Sequence, residues 1–76
     1  MAIRVLFLGR LQDAAGCGER EVLAQPTVAT LIAGFEPELA DALRSDKVRV
    51  AVNGVLGASA LVDGDEVAFL PPVSGG

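Results

Sequence analysis

The sequence predicts an α+β domain, a mixed sheet of about five strands covered on one face by one main helix plus short helices. Three observations carry that expectation. Apolar and β-branched residues cluster or alternate over 2–9, 19–24, 47–53 and 65–70, as half-buried strands require. Between the second and third of these, Val28, Leu31, Ile32 and Phe35 fall at i, i+3, i+4 and i+7, one face of a helix. A connection long enough to hold that helix lets the later strands join the earlier ones in a mixed sheet.

Each element has its own justification. In the first strand Ile3, Val5 and Phe7 share one face and Arg4, Leu6 and Leu8 the other, ending at Gly9. Leu11 to Ala15 makes one helical turn, closed by Gly16 and Gly18. Glu19 to Ala24 returns as a second strand with Val22 and Ala24 on one face, stopped at Gln25-Pro26 because proline has no N–H to give a ladder. Thr27 caps the main helix, and Pro37 ends it and opens a second one with Leu39 and Leu43 four apart. In the next strand Val48, Val50 and Val52 face one way and Lys47, Arg49 and Ala51 the other. Asn53-Gly54 then makes a tight turn into a short return strand at Val55-Leu56. After a loop over 57–62, Asp63-Gly64 turns into a last strand with Val67 and Phe69 facing inward. The expected core sets Val28, Leu31, Ile32 and Phe35 against Val5, Val50, Val52, Val67 and Phe69.

A chain of 76 residues holds one small domain that buries only roughly 60% of its unfolded surface. Yet 51% of its residues are apolar and its mean hydropathy is +0.50, more than so thin a core absorbs. An apolar patch facing a partner follows from that excess. Ten acids against six bases give a net charge of −4, and the bases are scattered rather than clustered. Nucleic acid and anionic membranes are therefore not expected partners, since both need clustered Lys and Arg.

With one cysteine and no histidine, the chain has no internal disulfide, no Cys-rich zinc or iron–sulfur site, and no Ser-His or Cys-His pair. A cytoplasmic protein without a bound cofactor or metal is expected. Val5 to Leu8 is too short for a signal-peptide core, and Val50 to Val62 is too broken to span a bilayer.

Three segments carry residues with chemical potential. Cys17 lies between glycines in a loop, with only Arg10 and Arg20 nearby to activate it, and reads as an incidental thiol. Asp63, Asp65 and Glu66 put three carboxylates in four residues without the frame of a calcium loop, and read as a solvated Asp-Gly turn. The C-terminal segment is the informative one. From Val67 to Gly76 no side chain is charged, and the sequence ends Pro-Pro-Val-Ser-Gly-Gly. Pro71 and Pro72 stiffen the exit from the sheet, and glycines without Cβ can thread a slot too narrow for other residues.

The run Asp-Gly-Asp-Glu-Val-Ala-Phe-Leu-Pro-Pro-Val-Ser-Gly-Gly, residues 63–76, closely resembles the end of molybdopterin synthase small subunits. Val5-Leu6-Phe7, Pro26-Thr27-Val28 and Ala51-Val52-Asn53 extend the resemblance along the whole chain. It implies a ubiquitin-like β-grasp fold over residues 1–72 and a flexible Gly-Gly tail over 73–76. It also implies a sulfur carrier with no catalysis of its own. An E1-like adenylyltransferase uses ATP to adenylate the Gly76 carboxylate, and a sulfur donor protein converts it to a thiocarboxylate. The molybdopterin synthase large subunit, in a heterotetramer, then takes that sulfur for the dithiolene of molybdopterin. By position, Gly75 and Gly76 match the tail that enters the large subunit, while Leu56 and Leu70 match apolar positions buried against it. One stretch departs. Relatives often carry Arg-Glu after the first strand where this chain has Gln12-Asp13, so no partner contact is carried over to Arg10. Carriers for thiazole or tRNA thiolation, ubiquitin-like protein modifiers and a plain interaction module share the fold and stand as alternatives.

Overall fold

The computed structural model describes residues 2–71. Its elements run β1 (Ala2–Phe7), α1 (Leu11–Ala15), β2 (Glu19–Leu23), α2 (Val28–Ala33), α3 (Pro37–Leu43), β3 (Arg49–Val52), β4 (Val55–Leu56) and β5 (Glu66–Leu70). The five strands form one sheet in the order β2-β1-β5-β3-β4. β1 and β5 are parallel, and the other three pairings are antiparallel. The last strand is thus the middle of the sheet, and the sheet is mixed as expected.

Register explains the core. Val5 lies beside Val67, which lies beside Val52, while Phe7 lies beside Phe69, which lies beside Val50. Ile3, Val5, Phe7, Val67 and Phe69 are 0% exposed because α2, α3 and the residues between them cover that face. The Phe7 and Phe69 rings stack at 5.9 Å, and the Phe35 ring meets Phe7 edge-on at 5.9 Å. Val28, Leu31, Ile32 and Phe35 are buried as their spacing predicts, and Val50 is only half-buried. Phe35 lies just beyond its helix. Gly34 caps α2, and the Phe35 N–H donates to the Ile32 carbonyl at 3.0 Å.

The helical cover is shared rather than carried by one long helix. α2 has six residues and α3 seven, with Leu39, Ala40 and Leu43 of α3 as buried as the face of α2. Thr27 and Thr30 form a reciprocal capping box that fixes the start of α2. Leu61, placed by its sequence in a loop, is core. Its N–H donates to Pro26 at 2.9 Å and Val28 N–H to Ser59 at 2.8 Å, stitching the 57–62 segment to α2.

Arg20 has more to do than a scattered surface charge. Its guanidinium sits 5.8 Å from the Phe7 ring centroid and 5.4 Å from that of Phe35. It donates to the Ala15 carbonyl at the end of α1 (2.9 Å) and to Glu36 Oε1 (3.2 Å), tying β2 to the helical layer. Among the described residues, no helix is long and apolar enough to cross a membrane.

Candidate functional site

The face of the sheet opposite the helices is open, and the alternation of the strands decides what it presents. Pairing sets Leu6 beside Ala68, Ala68 beside Ala51 and Ala51 beside Leu56, an apolar row running across four strands. Leu6, Ala68 and Ala51 are half-buried without a helix above them, and Leu56 is 60% exposed. One side of the row is bordered by ions. Arg4 Nε lies 3.0 Å from Glu19 and its Nη1 3.9 Å from Glu66. The other side is bordered by Leu70, paired with Arg49.

Leu56 and Leu70, singled out in the sequence, therefore share this open face, about 12 Å apart from strand spacing and rise. Leu56 is exposed as expected. Leu70 points away from Val67 and Phe69 but is half-buried, because neighbouring strands flank β5 on both sides. Leu56 also lines a groove of about 330 Å³ with Val28, Val48, Arg49 and Val50. Leu6, Ala51 and Ala68 join the same surface and were not singled out. Alanine carries little hydrophobic signal, and only the inter-strand register aligns them.

At the end of the open face the chain leaves the sheet. Leu8 N–H donates to the Phe69 carbonyl at 3.1 Å, beside the last rung of the β1–β5 ladder. Pro71 then rests on Gly9, whose φ of +55° turns the chain from β1 into α1. Gly75 and Gly76, and the expected boundary between residues 72 and 73, lie outside the described residues.

Two other segments are accounted for structurally. Cys17 is half-buried, its Sγ 3.9 Å from the Ala15 carbonyl. In the acidic turn, Asp65 accepts from Val62 N–H (2.8 Å) and from Asn53 Nδ2 (2.9 Å). The Val62 N–H and then Asn53 hold the Asp65 carboxyl below the usual carboxylate range. Asn53 Oδ1 accepts from Glu66 N–H at 3.0 Å, so this residue locks the β3–β4 turn to the start of β5. Asp63 accepts from Ala2 N–H at 2.8 Å. Among the described residues, no group of three or more His, Cys, Asp or Glu side chains is placed to hold a metal ion.

A five-stranded mixed sheet grasping a short helical layer, with its open face leading to the C-terminal exit, defines a ubiquitin-like β-grasp protein. The ThiS family model matches residues 5–76, and the chain belongs to the ThiS family. It is 42% identical to the molybdopterin synthase sulfur carrier subunit of Escherichia coli K12, over 97% of this chain and 99% of the relative. Among solved structures, it is similar to SAMP1 of Haloferax volcanii (TM-score 0.81, 28% identity, 100% of each chain). It also resembles the small archaeal modifier protein 1 of Methanosarcina acetivorans (TM-score 0.75, 27% identity, 99% of this chain and 96% of that one).

Proposed function

We propose that this chain is the sulfur carrier subunit of a molybdopterin synthase. The observation that carries the reading is its 42% identity, over nearly all of both chains, to a protein of that name. The open apolar face and the exit beside it supply a physical rationale. A carrier needs a surface that docks it in a fixed pose and a reactive end delivered from that pose.

The reactive group in this reading is the Gly76 carboxylate. A carboxylate is a poor electrophile, so one of its oxygens first attacks the α-phosphate of ATP and pyrophosphate leaves. Hydrosulfide released by the donor protein then attacks the acyl carbon, AMP leaves, the proton goes to solvent, and a thiocarboxylate remains. The E1-like activating enzyme binds the ATP, and this chain holds no cofactor. The large synthase subunit receives the tail and transfers its sulfur to the pterin precursor, two carriers serving each dithiolene in a heterotetramer. Hydrolysis returns the carboxylate. Residues 73–76 act as the delivery tail and 1–72 as the docking domain, with Leu56 and Leu70 buried against the large subunit. The setting is the cytoplasm, in keeping with a lone cysteine.

Deleting Gly76 tests the mechanism. With the activating enzyme, ATP and a sulfur source, the full chain should gain the mass of one sulfur in place of one oxygen. The deletion variant should gain nothing and melt like the full chain. A truncated chain that still accepts sulfur and supports pterin synthesis sinks the proposal. Protein conjugation is the second reading, favoured by the two archaeal modifier proteins at lower identity. Intact mass of protein from native cells separates carboxylate, thiocarboxylate and conjugate.

A further inference from the structure

We infer that Gly9 is a positioning residue for the carrier's reactive end, acting through Pro71. A Cβ built on Gly9 lies 2.8 Å from Pro71 Cγ, 3.6 Å from Cδ and 3.8 Å from Cβ. A carbon–carbon approach of 2.8 Å is well inside the optimal separation of roughly 3.5–4.0 Å. Neither side yields easily. Gly9 is held by its carbonyl, which accepts from Gln12 N–H at 3.1 Å, and by Leu8, whose carbonyl accepts from Leu11 N–H at 3.1 Å. Leu11 is itself core. Pro71 has no flexible side chain to swing away, because its ring is closed onto the backbone. A methyl at position 9 therefore has to displace the Pro71 ring, which is bonded at both ends to the backbone from which everything after it starts.

Backbone conformation alone does not account for this glycine. Asn53, of a residue type that visits the left-handed region more readily than most besides glycine, occupies φ +50° in the same chain, and the strain of positive φ is common to Gly9 and the other turn glycines. Gly16, Gly54, Gly57 and Gly64 also have positive φ, yet a Cβ on any of them meets nothing within 4 Å. Among these described glycines, contact with the exit singles out Gly9. The bare Cα of Gly9 gives Pro71 its seat, and that seat fixes where the tail starts relative to the open face. Transfer needs this relation to be constant, since displacing a reacting group by about 1 Å can cost about a hundredfold in rate.

The inference rests on the sulfur-carrier reading for its consequence, but not for its geometry, and the test separates the two. Wild type, Gly9→Ala, Pro71→Ala, the double variant and a Gly64→Ala control are compared. Gly64 shares the positive φ without the contact and lies at the far end of the sheet, where its N–H donates to Ala2. Thiocarboxylate formation, and then its return to carboxylate as sulfur is transferred in the presence of the large synthase subunit, are followed by intact mass. The expected result is a fall in kcat/KM of about tenfold for Gly9→Ala relative to Gly64→Ala, largely rescued when Pro71→Ala removes the obstructing ring atoms. Amide NMR should show Leu70 and the residues after Pro71 displaced in Gly9→Ala and restored in the double variant. If Gly9→Ala does not fold, a double variant that folds and transfers supports the inference, and one that also fails overturns it. A Gly9→Ala chain as active as the control, or a deficit unchanged by Pro71→Ala, overturns it. Should wild type accept no sulfur, the carrier reading falls, and the NMR comparison alone decides whether Gly9 seats the exit.

Discussion

On the covered face of the sheet Val5, Phe7, Val67 and Phe69 are fully removed from water, whereas Leu6, Ala68 and Leu70, which alternate with them, are only half-buried. The strands are the same and both sets are apolar. What differs is the layer above them. α2 and α3 fill the space over one face, while the other stays flat because alanines 51 and 68 sit in the middle of its apolar row. Burial is concentrated on the first face, while the second keeps apolar surface uncovered, in a domain too small to hide both.

Neighbouring residues on opposite faces give the strongest test of that division. Phe69→Ala should cost about 3–5 kcal/mol, as for a buried phenylalanine, and Leu70→Ala only about 1–2 kcal/mol, since its partly exposed side chain gives up less apolar burial on truncation. Chemical denaturation of both variants measures this. Equal losses would mean that the two faces contribute alike and that Leu70 is core.

A charge on the open face should act on association rather than on folding. Leu56→Glu is expected to weaken binding to the large synthase subunit by about 2 kcal/mol, as loss of an apolar anchor does, with unchanged melting. Leu70→Glu should weaken it in the same direction. Titration calorimetry reads both. Unchanged affinity in the two variants would move the interface to another surface.

The smallest effect belongs to the acidic turn that joins β3–β4 to β5. Because the Asp65 carboxyl titrates below its ordinary value in the folded chain, the folded state binds its proton less readily than the unfolded one. Its stabilising contribution is therefore complete above the unfolded value, near pH 4, and lost as pH falls through the lower folded value. Asp65→Asn should destabilise the chain at neutral pH, with the gap from wild type closing below about pH 4. Melting curves across that range check it. A gap that stays constant with pH would show that the hydrogen bonds matter and the charge does not.

Much of the covered face was legible in the sequence. The stripe from Val28 to Phe35, the valines at 48, 50 and 52, and the Asn53-Gly54 turn are local patterns, and local patterns survive without knowing the partner strand. Asn53 at φ +50° and Gly54 at +83° are what that turn requires. Leu61 was missed because its burial depends on a bond to Pro26, far away in sequence. Arg20 was missed because its neighbours Phe7 and Phe35 come from two other elements. The apolar row on the open face was hidden for the same reason. Leu6, Ala68, Ala51 and Leu56 become neighbours only through one parallel and two antiparallel registers. Gly9 offered no hint of Pro71. The C-terminal chemistry was readable only through its resemblance to known carriers, since no side chain from Val67 onward is charged.

The central place of β5 has a consequence for how the protein comes into being. β1 and β2 are neighbours in sequence and pair with each other, as do β3 and β4, but each pair holds only part of the sheet until residues 66–70 lie between them. That insertion closes a loop of some sixty residues onto β1 in parallel register, the kind of distant pairing that slows folding. During synthesis β5 emerges after the four strands that it joins into one sheet. A ribosome-bound chain stalled before Glu66 should expose both hairpin edges and bind chaperones. One released with Leu70 in place should not.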